Sequence, residues 1–257
     1  MKTAIVIPVR YASTRLPGKP LLRHTGKYLV QHVYERACLA RRPSQVLVAT
    51  DDSRIVAAVK SFGGQVVLTR RDHSSGTDRV AEVAQHLDVD VIINLQGDEP
   101  LVDPAALDLL PELLGQAEMA TLAVPITSIQ QWHNPNCVKV VCDAAGRALY
   151  FSRSPIPFAP AACVSRSLEA CERETQAVPF LQHLGLYAYR RPFLLQLAAQ
   201  PPQPLELLEK LEQLRALALG HRVQIGLVRQ AAIGVDTYED YMRFVHTYRR
   251  RPLRAAA

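Results

Sequence analysis

The chain has 257 residues, of which 48% are hydrophobic and 21% are charged, a composition typical of a folded globular protein. These proportions exclude a disordered chain and a collagen-like repeat. The formal net charge is +6. Five of these positive charges come from arginines near the C-terminal end: Arg243, Arg249, Arg250, Arg251 and Arg254. Because the rest of the chain is nearly neutral, we interpret this end as a solvated terminus and expect no nucleic-acid partner.

The cysteines and the apolar runs bear on the cellular compartment. Five cysteines occur without a C-x-x-C pair, which argues against a disulfide framework and a zinc site and favours a reducing compartment. The apolar run at residues 4–9 is too short for the core of a signal peptide. No window approaches the 18 apolar residues of a membrane span. We therefore expect a cytoplasmic protein without a membrane partner.

Short β-branched runs alternate with amphipathic stretches through the first half of the chain. Strands are predicted at residues 4–9, 46–50, 66–69, 91–95 and 121–126. Helices are predicted between them, at about 28–41, 52–61, 78–87 and 103–117. Continuous apolar strands separated by helices indicate βαβ units, and hence an α/β protein with a mostly parallel sheet. Ligands of such sheets bind beyond the carboxyl ends of the strands, so the residues after each strand are the candidates for function.

The pattern changes after about residue 134. Two β runs, 138–142 and 148–151, flank a glycine-containing turn and predict a hairpin. Further strands are predicted at 183–189 and 223–228, and between them a helix over 205–219 that ends at Gly220. Residues 155–179 have no period and are predicted to form a loop.

A loop rich in cations follows the first predicted strand. It reads Arg10-Tyr11-Ala12-Ser13-Thr14-Arg15-Leu16-Pro17-Gly18-Lys19-Pro20 and is called the basic loop below. Backbone N–H groups, hydroxyls and cations together suit a polyphosphate. The loop is not a Walker motif, because Pro20 follows Lys19 where that motif has Ser or Thr. The alternative is a solvated basic turn.

Two acidic residues follow apolar segments. They are Asp98 in Gln96-Gly97-Asp98-Glu99-Pro100 and Asp236 in Gly234-Val235-Asp236-Thr237. Mg²⁺ takes one or two carboxylates together with phosphate oxygens, so an acid beside a phosphate loop is suited to bind it. Asp98 could instead cap the helix near Pro104, and Asp236 or Thr237, with Glu239 or Asp240, could cap the last helix.

Other polar positions give weaker signals. The loop 69–79 is rich in donors and acceptors that could satisfy a base, although ordinary turns have the same composition. Glu212 falls on an apolar arc of the predicted helix 205–219, where a carboxylate needs a cation, a hydroxyl or a ligand. His183 and Tyr187 share one face of a strand by its period of two, and either a structural or a sugar-binding role fits them.

Together these motifs resemble the 3-deoxy-manno-octulosonate cytidylyltransferase family. The matching segments run in the family order over about residues 3–240. They are residues 10–20, 75–79, 96–100, 119–126, 134–141, 150–153, 183–187, 211–215 and 234–237. Residues 155–179 match no segment of the family.

The resemblance implies one doubly wound nucleotide-binding domain over residues 1–257, with an inserted mixed β region at about 130–190 that shapes the sugar site and a homodimer contact. The implied reaction transfers CMP from CTP to 3-deoxy-D-manno-octulosonate (Kdo), releasing pyrophosphate, for lipopolysaccharide synthesis, with Mg²⁺ as cofactor. A cytidylyltransferase for another acidic sugar, such as sialic acid or amino-substituted Kdo, is the close alternative. A nucleotide sensor without turnover is disfavoured because Lys19, Asp98 and Asp236 are all present.

The family's residue roles carry over to the matching positions. Arg10, Lys19, Asp98 and Asp236 would be catalytic, with the two aspartates as ligands of Mg²⁺. The residues expected to bind CTP are Arg10, Ser13, Lys19, Arg70, Asp72, Ser75, Gly76 and Thr77. Those expected to bind the anionic sugar are Arg15, Arg79, Gln96, Arg153, His183, Tyr187, Glu212 and Gln213, and the arginines suit its carboxylate.

Overall fold

The computed structural model describes residues 1–12, 15–160, 168, 180–231 and 234–250. Its contacts divide the chain into a first unit, Met1–Asp108 with Ala232–Ala257, and a second unit, Leu109–Ala231. The second unit is wider than the insertion predicted at about 130–190. Ser13 and most of the predicted loop 155–179 lie outside the described residues. Among the residues that are described, no helix is long and apolar enough to cross a membrane.

The first unit contains a parallel sheet with helices between its strands. Its strands are β1 (Thr3–Val9), β2 (Gln45–Thr50), β3 (Val66–Leu68) and β4 (Val91–Asn94), paired in the order β3-β2-β1-β4. A 3-10 turn, Lys19–Leu21, precedes α1 (Leu29–Ala37), and α2 (Ser53–Ser61), α3 (Gly76–Gln85) and α4 (Pro104–Leu113) follow the next three strands in turn. The predicted α/β class with a mostly parallel sheet is confirmed.

Strands β1 and β4 of this sheet are apolar on both faces. Residues 4–7 and 91–93 have no exposed surface, as their continuous apolar runs predicted. The strand order reverses at β1, because β2 and β3 follow on one side of it and β4 lies on the other. Such a reversal opens a crevice beyond the carboxyl ends of the two strands. The loops that follow β1 and β4 therefore meet.

The second unit contains a mixed sheet. In it β5 (Met119–Pro125) pairs in parallel with β9 (Val223–Leu227) and antiparallel with β8 (Leu181–Arg190). The predicted hairpin forms from β6 (Lys139–Cys142) and β7 (Ala148–Ser152), and β6 also pairs with β8. Two short helices, α5 (Ile129–His133) and α6 (Arg191–Ala198), were not predicted, because neither is long enough to show a clear helical period.

The prediction of one continuous helix over residues 205–219 is wrong. The structure has two shorter helices there, α7 (Pro204–Glu209) and α8 (Leu214–Ala218). The break comes at Lys210, which adopts left-handed backbone angles of φ 55° and ψ 49°. Apolar spacing does not reveal one left-handed residue inside a leucine-rich run. Glu212 therefore does not lie on an apolar helical arc, and its side chain is exposed.

An apolar cluster holds the C-terminal helix, Tyr238–Arg250, in the first unit. The cluster consists of Leu29, Val235, Tyr241, Phe244 and Val245, with the partly buried Leu16 and Leu22 packed against it. The hydroxyl of Tyr241 accepts a hydrogen bond from the backbone N–H of His24 at 2.8 Å. This packing places the segment that contains Asp236 beside the basic loop.

A buried ion pair joins α7 and α8 in the second unit. Glu206 is 6% exposed and Arg215 is 5% exposed. Arg215 donates from Nε to Glu206 Oε2 at 2.8 Å and from Nη2 to Oε1 at 2.5 Å. It also donates from Nη1 to the backbone carbonyls of Leu197 and Gln200. The pair therefore ties the two halves of the broken helix to α6 and to Gln200, two residues beyond the end of α6.

Removing one partner of this pair should destabilise the protein. Arg215→Met leaves a buried carboxylate without its cation, so the free energy of unfolding should fall by about 3–5 kcal/mol. The double variant Glu206→Leu/Arg215→Met should recover most of that loss. Urea unfolding measures both. The control is Lys27→Met, which removes the half-exposed partner of Glu35 and should change the free energy by less than about 1 kcal/mol. An Arg215→Met variant as stable as this control would contradict the prediction.

Candidate active site

The basic loop and the loop after β4 line a cavity in the first unit. Its volume is about 320 Å³. Five predicted site residues line it: Arg10, Arg15, Lys19, Gln96 and Asp98. The sheet order therefore brings together side chains from two separate segments at the place where a parallel sheet binds its ligands.

Lys19 lies at the centre of the charged groups. Its ammonium is 2.8 Å from a carboxylate oxygen of Asp98 and 3.7 Å from one of Asp236. It also donates to the backbone carbonyl of Val235 at 2.7 Å. The Lys19 side chain is 12% exposed, whereas those of Asp98 and Asp236 are 33% and 49% exposed, so water reaches the acidic side of this cluster. The two aspartates, which are remote in sequence, thus converge on one cation.

Asp236 is fixed in this position by backbone and side-chain bonds. The backbone N–H of Val235 donates to the carbonyl of Asp98 at 2.8 Å. Arg15 donates from Nη2 to Asp236 Oδ1 at 2.9 Å. The helix that follows is capped by other groups, since Thr237 Oγ1 accepts from the N–H of Asp240 at 3.2 Å. The alternative role of Asp236 as a helix cap is therefore not what the structure shows.

Asp98 is likewise not used as a helix cap. The side chain that accepts from the first turn of α4 is that of Asp103, which bonds the N–H of Ala105 at 3.0 Å. Next to Asp98, burial and the Asp98 carboxylate raise the pKa of Glu99 to about 8. Asp98 provides the carboxylate that faces Lys19.

Gly97 allows the loop after β4 to approach β1 closely. A methyl group on its Cα would lie 2.7 Å from Val9 Cγ2 and 3.0 Å from the carbonyl oxygen of Pro8. Both distances are shorter than ordinary contacts. The absence of a side chain at residue 97 is therefore a condition for the position of Asp98.

Three of the residues predicted to surround cytosine and ribose lie at the start of α3. Ser75 is the N-cap, because its Oγ accepts from the N–H of Asp78 at 3.0 Å and its own N–H donates to Asp78 Oδ2 at 3.1 Å. Gly76 is the first residue of the helix, and Thr77 is buried. The Ser75 hydroxyl therefore has a structural role at this helix end.

Two further predicted nucleotide ligands lie in the loop before α3. Arg70 and Asp72 are exposed, and their side chains are 3.6 Å apart. The same loop contacts the basic loop, because Arg10 Nη2 donates to the carbonyl of His73 at 3.1 Å. These two side chains are accessible to a ligand, and the prediction of their role stays a prediction.

Arg79, a predicted sugar ligand, has partners inside the first unit. Its side chain is fully buried, and its Nη2 lies 3.1 Å from a carboxylate oxygen of Asp51. Its Nη1 also donates to Thr69 Oγ1 and to the carbonyl of Arg70. These contacts join α3 to the ends of β2 and β3. The predicted role of Arg79 toward the sugar stays a prediction.

Three predicted sugar ligands meet in the second unit. The ring centroids of His183 and Tyr187 are 5.4 Å apart, and the Tyr187 hydroxyl donates to Gln213 Oε1 at 3.1 Å. His183 Nε2 lies 3.0 Å from Thr121 Oγ1. All four residues are buried. Burial lowers the pKa of His183 to about 3, so this imidazole is neutral at pH 7.

Arg153 is bound by backbone groups of the second unit. It donates from Nε to the carbonyl of Glu209 at 2.8 Å and from Nη1 to that of Pro135 at 3.0 Å. Its own carbonyl accepts from Lys139 Nζ at 2.6 Å. Lys139 is fully buried, and it donates also to the carbonyls of Asn134 and Cys137. This support was not predicted, because an apolar strand pattern does not reveal a buried ammonium.

A basic loop and paired carboxylates at the end of a parallel sheet are typical of enzymes that act on nucleotide phosphates. The chain also matches a known family of such enzymes. The cytidylyltransferase family matches residues 4–224 of the chain.

Similar proteins of known name identify a narrower family within this class. The 3-deoxy-manno-octulosonate cytidylyltransferase of Syntrophotalea carbinolica is 47% identical over 246 residues, which are 95% of this chain and 97% of that protein. The protein of the same name from Yersinia pseudotuberculosis is 49% identical, and the match again covers 95% of this chain and 97% of that protein. The solved structure of CMP:2-keto-3-deoxy-manno-octonic acid synthetase complexed with CTP has a TM-score of 0.88 at 40% identity and covers 98% of this chain and 100% of that one. The chain belongs to the 3-deoxy-manno-octulosonate cytidylyltransferase family.

Gly97→Ala should reduce turnover without unfolding the protein. The added methyl group meets β1 and displaces Asp98 from Lys19, so kcat/KM should fall on the order of 100-fold. Turnover assays and thermal melts measure the two effects. The control is Gly234→Ala, because a methyl group there meets no atom within 4 Å. Parental activity of Gly97→Ala would show that Asp98 does not depend on this close approach.

Proposed function

We propose that the protein transfers CMP from CTP to Kdo, giving CMP-Kdo and pyrophosphate, and so activates Kdo for lipopolysaccharide synthesis. One observation carries the proposal. Asp98 and Asp236 converge on Lys19 at the ligand-binding edge of a parallel sheet, in a chain about half identical to proteins named for this reaction.

The cations of the cavity would bind the triphosphate of CTP. Arg10, Arg15 and Lys19 line the same cavity and can offset the charge that develops on pyrophosphate as it leaves. The anomeric hydroxyl of Kdo attacks the α-phosphorus in line. A new P–O bond forms to the sugar while the bond to pyrophosphate breaks, and the hydroxyl proton passes to solvent. No covalent enzyme intermediate is needed, so positioning and charge stabilisation provide the acceleration.

Mg²⁺ is the proposed cofactor, with Asp98 and Asp236 as its protein ligands. The two carboxylates fit a cation because they already lie around one, the Lys19 ammonium, at 2.8 and 3.7 Å. Mg²⁺ commonly takes one or two carboxylates and completes its coordination with phosphate oxygens and water. When bound, it would supply positive charge to the phosphate oxygens of CTP. Lys19 would then be free to bind a phosphate oxygen itself.

Kdo is an acid with several hydroxyls, so its site needs cations and neutral hydrogen-bonding groups. In the second unit, Arg153 is the proposed partner of its carboxylate. The hydroxyls would be bound there by His183, Tyr187, Glu212 and Gln213. Because burial keeps His183 neutral at pH 7, it would act as a hydrogen-bonding group and not as a cation.

A cytoplasmic homodimer is the proposed form of the enzyme. The described cysteines, Cys38, Cys137 and Cys142, are free, which suits a reducing compartment. The second unit exposes several large apolar side chains, including Phe158 at 86%, Leu208 at 79% and Leu207 at 63%. Exposed apolar surface of this kind supports a protein contact.

The test of the proposed function is pyrophosphate release from each of the four nucleoside triphosphates. Each is assayed with and without Kdo and with and without Mg²⁺. We expect release only from CTP, and only when Kdo and Mg²⁺ are both present. Equal release with sialic acid in place of Kdo, or with another nucleotide, would contradict the proposal.

Replacing either proposed metal ligand with Asn should abolish most of the turnover. Asp98→Asn and Asp236→Asn keep the side-chain shape but remove a charge, so kcat should fall by about two to three orders of magnitude. Asp88→Asn, at an exposed residue paired with Lys2, is the control and should not affect kcat. Thermal melts check the fold. Near-parental kcat of Asp98→Asn at saturating Mg²⁺ would refute the metal assignment.

A further inference from the structure

The basic loop closes on itself between Tyr11 and Gly18. The N–H of Gly18 donates to the carbonyl of Tyr11 at 3.1 Å. Gly18 has φ 68° and ψ 11°, a left-handed conformation that glycine adopts without strain, and it begins the turn Lys19–Leu21. The contact between Tyr11 and Gly18 therefore determines the direction in which Lys19 leaves the loop.

The ring of Tyr11 occupies the space beside Gly18. A methyl group on Gly18 would lie 3.2 Å from the Tyr11 hydroxyl oxygen and 3.3 Å from Cζ. The guanidinium carbon of Arg54 lies 3.4 Å from the centroid of the same ring. This is the geometry of a cation–π interaction. One aromatic ring thus connects the basic loop to α2.

Arg54 is itself held firmly at the start of α2. It donates from Nε to Asp52 Oδ1 at 2.9 Å and from Nη2 to Oδ2 at 2.6 Å. Asp52 is also the N-cap of α2, accepting from the Arg54 N–H at 2.9 Å. The hydrogen bond from the Arg54 side chain lowers the pKa of Asp52. A guanidinium bound at two atoms to a capping carboxylate has little freedom to move away from the ring.

We propose that Tyr11 and Arg54 are positioning residues that hold Lys19 in the orientation that binds the CTP triphosphate, an inference that rests on the proposed function. The path runs from Asp52 through Arg54 and the Tyr11 ring to Gly18, and from Gly18 directly to Lys19. The four residues of this path that precede Lys19 do not need to touch the nucleotide. They are Asp52, Arg54, Tyr11 and Gly18. Their effect is to reduce the number of conformations that the basic loop adopts before CTP binds.

The experiment measures KM for CTP and for Kdo separately in the holoenzyme. Arg54→Gln removes the cation over the ring and should raise KM for CTP about threefold, and Tyr11→Leu should raise it about tenfold. KM for Kdo should not change in either variant. Tyr11→Phe, which keeps the ring, should restore most of the affinity for CTP. The matched control is Arg23→Gln, because Arg23 lies over the Tyr28 ring at 4.5 Å in the same unit.

The outcomes separate this inference from the proposed function. If the parent enzyme turns over and both variants have the CTP KM of Arg23→Gln, or raise both KM values equally, the positioning role is overturned. If the parent enzyme does not release pyrophosphate, the proposed function fails, and amide hydrogen exchange then tests the loop by itself. The amides of Gly18 and Leu21 should exchange faster in Tyr11→Leu than in Tyr11→Phe. Equal exchange rates would overturn the positioning role.

Discussion

The arrangement of the first unit depends on the charge balance around the Lys19 ammonium. The carboxylates of Asp98 and Asp236 lie 2.8 and 3.7 Å from the same ammonium, and they would repel each other if no cation lay between them. Lys19 offsets that repulsion and, through the carbonyl of Val235, also fixes the backbone that presents Asp236. The backbone bond from Val235 to Asp98 adds a contact that does not depend on charge. The same geometry would suit the proposed metal ion, because carboxylates already gathered around one cation can exchange it for another.

Much of the first unit could be predicted from the sequence, because its signals are local. The continuous apolar runs of β1 and β4 showed that both faces of each strand are buried, and motifs of several residues identified the basic loop and the two aspartates. The errors occur where a tertiary contact decides the outcome. Spacing could not show that Lys210 would adopt a left-handed conformation and end a helix. Spacing also does not reveal burial: Arg79, whose role toward the sugar stays a prediction, is fully buried beside Asp51.

The two units use polar groups in physically different ways. In the first unit the basic loop and its acidic partners are charged and reach the surface of a cavity, which suits a ligand with several negative charges. In the second unit His183, Tyr187 and Gln213 form a buried network of neutral groups. Neutral networks of this kind select ligands by the direction of donors and acceptors more than by total charge. A reaction between a polyphosphate and a hydroxylated acid needs both kinds of recognition.

Asp236 lies late in the chain, and this position determines when it can join Lys19 and Asp98 during synthesis on the ribosome. Val235 lies 216 residues after Lys19, its partner in the site. At about 5–20 residues per second, roughly 10–40 s pass between the synthesis of the two. Once Asp98 has been added, the growing chain carries the basic loop and the first carboxylate but not the second. A nascent chain therefore cannot gather both carboxylates around one cation, and this cluster of charges forms only after Asp236 has emerged from the ribosome.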